Sequence, residues 1–170
     1  MKFQKVINLC KDSGELYITE TGNVQWVTNG AAAYPLFGLP KFTAESLCET
    51  FGLSEEQQGK MILNEKSVAE FHGIDFTDLK GDEAPGEIIR MEFSFGGMQL
   101  LAVKSDGDIY FIKKKYLSPF DEEVELWKRT SKQGSYFVVA GGMLIKGIIV
   151  PERDARAQIA AEIKEIANMM

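Results

Sequence analysis

Nucleophilic and metal chemistry start from histidine and cysteine, and this chain offers one histidine, His72 beside Gly73, and two cysteines, Cys10 and Cys48. Neither cysteine has a histidine near it in sequence, so nothing local activates a thiol. There is no CxxC pair, GxGxxG, P-loop or HExxH, so the familiar zinc, dinucleotide and nucleotide signatures are absent. The expectation is a protein that is not an enzyme, with no catalytic residues, no cofactor and no metal. Both cysteines fall at apolar positions of predicted helices, where a free thiol serves as a small hydrophobe.

Two charged groups stand out instead. Asp75, Asp78, Asp82 and Glu83 are close enough along the chain to gather around a hard cation. They lack EF-hand spacing, and the plainer reading is a solvated acidic loop that meets a basic partner. The opposite charge concentrates at Lys113, Lys114 and Lys115, followed by Lys128, Arg129 and Lys132 around the next turn. If the two strands carrying them are neighbours, these six residues make a positive patch for a phosphate backbone. The competing reading is an edge strand whose lysines prevent edge-to-edge association. Among the aromatics, Trp26 and Phe37 are candidates for exposed partner contacts, while Tyr34 and Trp127 read as core.

The elements that must position these groups follow from pattern. The 170 residues suffice for one core, read as a single domain. With a net charge of −6, the chain is a poor candidate for broad wrapping of nucleic acid, and suits a basic protein surface. No apolar run reaches the roughly 20 residues that span a bilayer, and the N-terminal stretch lacks a signal-peptide core, so no membrane contact and a cytoplasmic location are expected. Phe3, Val6, Ile7 and Cys10 recur at helical spacing, and ELYITE and VQWVT read as a hairpin. Pro35 makes the third strand short or places it at an edge. Thr43 and Ser54 are candidate N-caps, Ser54 in a capping box with Gln57. Residues 1–63 thus form a helix and hairpin half, and residues 64–86 an acidic surface loop. Residues 87–151 form a meander of about five or six strands punctuated by glycine turns, with one face covered and one wet. Residues 152–170 form a helix whose stripe of Ile159, Ile163 and Ile166 packs on the sheet or docks a partner. The fold class is α+β: an antiparallel sheet of about seven to nine strands with N-terminal, central and C-terminal helices.

Lys115, Tyr116, Leu117 and Pro119, followed by Ile148, Ile149, Val150 and Pro151, resemble the closing part of a DNA sliding-clamp domain. The whole chain, including VQWVTNGAAAYPLFGLP, is similar to small proteins encoded in phages and prophages of gut Firmicutes. The first resemblance implies a clamp-like accessory factor in phage DNA metabolism, with an inner surface supplied by Lys2, Lys5, Lys11 and the Lys113, Lys114, Lys115 run. One such chain cannot surround a duplex, so it implies a homo-oligomeric ring. The alternative, of a different class, is an anti-defence inhibitor resembling anti-CRISPR proteins, whose acidic surface blocks the basic nucleic-acid channel of a host nuclease. Both expectations name a protein partner; only the first also requires DNA.

Overall fold

The computed structural model describes residues 1–169, and the side chains of Arg156, Ala160, Ile163, Lys164, Ile166, Ala167 and Asn168 fall outside that description. Helix α1, Phe3–Ser13, buries Val6, Ile7, Leu9 and Cys10 on one face and closes at Gly14. Strands β1, Glu15–Thr21, and β2, Val24–Thr28, form the expected antiparallel hairpin. Strand β3, Ala32–Pro35, is short but not an edge strand: it lies between β2 and the last strand, with Pro35 at its end opposite Trp26. Local chemistry sets the next two helices. Thr43 caps α2, Ala44–Thr50, by accepting the Ser46 N–H, and Ser54 caps α3, Glu55–Gly59, by accepting from Gln57. Each helix gains a partner for otherwise unpaired N–H groups at its start.

Strand β4, Ile62–Glu65, pairs with β1 in parallel, making the sheet mostly rather than wholly antiparallel. The remaining strands are β5 (Ala84–Phe95), β6 (Met98–Ser105), β7 (Asp108–Lys113), β8 (Glu125–Ser131), β9 (Gly134–Gly141) and β10 (Leu144–Ile149). The ten strands run in the order β4-β1-β2-β3-β10-β9-β8-β5-β6-β7, exceeding the expected count by β4, which straddles the boundary at residues 63 and 64 between the expected helix and hairpin half and the supposed loop. The β3–β10 pairing joins the N-terminal and C-terminal parts in one sheet.

Strand β5 does two jobs. Ala84, Pro85 and Gly86 pair with β8, whereas Glu87 and the residues after it pair with β6. The change of partner lets β6 and β7 deliver Val103, Tyr110 and Ile112 into the same core as Leu126, Phe137 and Val139. Gly86 sits at the crossing. A Cβ there would stand 2.9 Å from Phe137 and 3.0 Å from Val103, so only glycine allows this approach.

The main core fills the space between this sheet and helices α1 and α2, with Leu16, Val27, Tyr34, Leu47 and Ile149 among its buried members. The opposite face of the sheet is not wet, as the sequence pattern suggested. Phe76, with Val68, Phe71, Ile74 and Leu79 around it, packs there on Trp26, Tyr136, Val138 and Ile148. Residues 66–83, between β4 and β5, are therefore a covering layer, including a 3-10 turn at Val68–Phe71, and the supposed loop of residues 64–86 is not free at either end, since it begins in β4 and ends in β5. The chemistry is visible in retrospect: Ile74, Phe76 and Leu79 alternate with acidic and polar residues, and they have sheet to bury against. Helix α4, Arg153–Met169, places Ala155 and Ile159 on Leu100, Ala102 and Phe111, forming a third cluster behind β6 and β7. No described helix is long and apolar enough to cross a membrane.

Candidate functional site

The six basic residues do not converge. Strand β7, which ends at Lys113, and β8, which carries Lys128 and Arg129, are separated in the sheet by β5 and β6. Four of the six are also occupied by carboxylates. Lys113 pairs with Glu152 at 3.1 Å, Lys114 with Glu92, and Lys128 with Asp106 at 2.7 Å. Arg129 pairs with Glu83. Lys115 and Lys132 are exposed and enter no ion pair among the described residues. The expected patch is thus reduced to two separated cations beside neutral pairs.

Arg129 is the largest departure from expectation. Its side chain is 7% exposed, and its five N–H donors are all spent within the protein. Nε and one Nη2 hydrogen donate to Glu83 Oε1 at 3.0 and 2.8 Å. Nη1 donates to the carbonyls of Asp75 and Thr77, and Nη2 also to that of Asp78. A guanidinium so used has no donor left for DNA, so Arg129 holds the covering layer on the sheet instead. The acidic quartet is its counterpart. Glu83 is 4% exposed and also accepts the N–H groups of Lys80 and Gly81. Burial raises its carboxyl, but the Lys80 N–H, the Arg129 guanidinium and the Gly81 N–H prevail and bring it to about 2. Asp75 is raised by burial and lowered more strongly by Lys80 and Thr77, also to about 2. Asp78 accepts the Ile145 N–H at 3.0 Å. Asp78 and Asp82 are exposed, and of the four only Asp82 enters no hydrogen bond or ion pair among the described residues. No three histidine, cysteine or carboxylate groups among the described residues come together as metal ligands.

The other candidate contacts divide. Trp26 is 2% exposed and meets Phe76 edge to face at 5.1 Å, so it belongs to the core and not to a docking surface. Ile159 is buried behind β6 and β7. Ile163 and Ile166 have side chains outside the described residues. Phe37 is 51% exposed, as the loop after Pro35 suggested. Burial pushes the Cys10 thiol up to about 12 and that of Cys48 to about 11, with Glu45 and Glu49 adding to the latter. Both are core side chains with little thiolate character.

Phe37 leads to a surface that the sequence reading missed. It borders a mainly apolar cleft of about 250 Å³ with Phe3, Pro35 and Phe120 on its walls. The rim of that cleft begins an acidic segment, residues 121–125, in which a loop carries Asp121, Glu122 and Glu123 and Glu125 opens β8. The same segment ends at a second cleft of about 550 Å³, where Glu123 and Glu125 face Ile88, Arg90 and Trp127. Asp121 pairs with Lys2, and Glu122 with Lys146, while the Glu123 side chain enters no ion pair among the described residues. The signal was the stretch DEEVE, which is unremarkable in sequence until the fold places a mainly apolar cleft at one end of it and a mixed polar and apolar cleft at the other. The chain matches no protein-family model, no curated protein and no solved structure.

Proposed function

We propose that this chain is a non-enzymatic binding protein that engages a partner protein through the acidic segment of residues 121–125 and the two clefts it separates. The observation that carries this reading is the placement of Glu123 and Glu125, which enter no ion pair among the described residues, beside a mixed polar and apolar cleft, with the mainly apolar cleft under exposed Phe37 at the other end of the segment. Such a surface suits a segment whose Lys or Arg residues alternate with apolar side chains: the clefts bury the apolar groups, and these two carboxylates attract the cations. The chain's net charge of −6 adds to the attraction at long range.

Basic segments of this kind line the nucleic-acid channels of nucleases, so the anti-defence inhibitor is the favoured specific reading. The clamp-like reading is weakened by the pairing of Lys113, Lys114 and Lys128 and the burial of Arg129. The test is titration of a fluorescent peptide of alternating Arg and Leu into the wild-type protein, the Asp121→Lys/Glu123→Lys variant and the Phe37→Ala variant. Salt-sensitive binding, lost on charge reversal and weakened at least fivefold by Phe37→Ala, is expected. Equal binding by all three proteins sinks the assignment of this surface.

A further inference from the structure

A third cavity, of about 280 Å³, lies between β1, the 3-10 turn of the covering layer, the β8–β9 turn and the start of α4. Its size is near the lower end of small-molecule pockets, about 300 Å³. Its charge is opposite to that of the protein as a whole. Lys66, His72 and Arg153 line it together with one carboxylate, Glu70, and neither Lys66 nor Arg153 enters an ion pair among the described residues. Elsewhere on the chain Lys41, Lys80, Lys113, Lys114, Lys128 and Lys146 each have a carboxylate.

The two carboxylates near the cavity are already engaged. Glu70 accepts the Ser67 N–H at 2.6 Å and so caps the 3-10 turn. Glu15 bonds the Tyr17 hydroxyl, and burial, reinforced by this carboxylate, raises that hydroxyl and keeps it protonated.

The cations are also positioned. The Lys66 ammonium stands 3.9 Å from the centre of the Tyr17 ring, a cation–π contact that fixes it at the cavity edge. The Arg153 guanidinium lies across the β8–β9 turn over Gly134, where a Cβ would come within 2.7 Å of Nη2. Gly134 also has φ +129°, so both its conformation and the contact require glycine. The remaining wall is apolar: Phe71, Ile74 and Val150 border the space while only partly buried.

We propose that this cavity binds a small organic anion, a phosphate ester or carboxylate with a compact apolar body, its charged head between Lys66 and Arg153 and its body against Phe71, Ile74 and Val150. The head would restore the charge balance that the fold leaves open there, and the body would cover apolar surface that no side chain covers.

The test is calorimetric titration of the full chain with phenyl phosphate and, separately, benzoate, which distinguishes the two head groups. Inorganic phosphate and benzyl alcohol serve as head-only and body-only probes. Saturable one-to-one binding of at least one of the two organic anions is expected, with both single-feature probes at least tenfold weaker. Lys66→Gln and Arg153→Gln should each weaken binding by about tenfold. Both replace side chains at the surface, and an unchanged melting temperature would show that folding is intact. Absence of binding by both organic anions overturns the proposal. So does binding that the two variants leave unchanged, or that inorganic phosphate reproduces.

Discussion

At the scale of single residues, Arg129 and Glu83 are where stability should respond most. Removing the guanidinium leaves Glu83 buried with an uncompensated charge and three carbonyls short of a donor. Arg129→Ala is therefore expected to cost about 3–5 kcal/mol, measured by urea unfolding. Glu83→Gln keeps the shape and should cost less. The depressed carboxyls of Glu83 and Asp75 also set a pH dependence. Their ordinary values are 4.5 and 3.8, and both fall to about 2 in the folded protein. A carboxyl lowered by folding stabilises the protein above its unfolded value and loses that contribution as pH falls toward its folded value. Unfolding midpoints should therefore decline between the ordinary carboxyl range and about pH 2, and Glu83→Gln should flatten the decline. An equally steep decline in that variant would mean other carboxylates dominate. A smaller effect of opposite sign is expected at Thr19, which is 2% exposed and whose hydroxyl finds no hydrogen-bond partner among the described residues. Thr19→Val removes that unpaired group at nearly constant volume and should raise stability by about 1 kcal/mol.

At the scale of elements, legibility followed sequence distance. The caps at Thr43 and Ser54 act over three residues, so their types and spacing announce them. The β1–β2 hairpin is equally local. Residues 64–86 could not be read this way, because what orders them is remote: the Arg129 contacts bridge separations of 46 to 54 residues. An acidic segment with glycine and proline looks solvated until a buried arginine and an apolar sheet face are available to it. The same holds for Trp26, whose partner Phe76 comes from that segment. Strand β5 gives the element-level prediction. Gly86→Ala would press a methyl group against Phe137, Val103 and Leu126, all buried, and should cost about 1–3 kcal/mol in chemical unfolding. A neutral result would mean that β5 can shift relative to β8 without disturbing the core.

At the scale of the whole molecule, charge distribution is what separates the two proposed binding readings. A ring around DNA needs a continuous basic lining, and the basic residues instead sit on separate parts of the sheet, mostly paired with carboxylates. Light scattering should thus give a mass well below that of a ring, unchanged by duplex DNA at low salt. Reversing Lys113, Lys114 and Lys115 should leave that result as it was. A ring-sized mass that shifts with DNA, and no longer shifts after the reversal, would restore the clamp reading.

Periodicity, turn residues and capping pairs are short-range, and by themselves they determined the helices at both ends, the N-terminal hairpin and the succession of strands after residue 87. Composition likewise determined the net negative charge. Tertiary structure alone decided that residues 66–83 cover the sheet, that Arg129 is an internal tie, and that Lys113 and Lys114 are paired with carboxylates while Lys115, among the described residues, is not. It also decided that an acidic segment lies between two clefts while a cationic cavity stands open elsewhere. The physical reason is common to all of these: a charge acquires its role from the partners the fold brings to it, and those partners are separated along the chain by distances that no local pattern encodes.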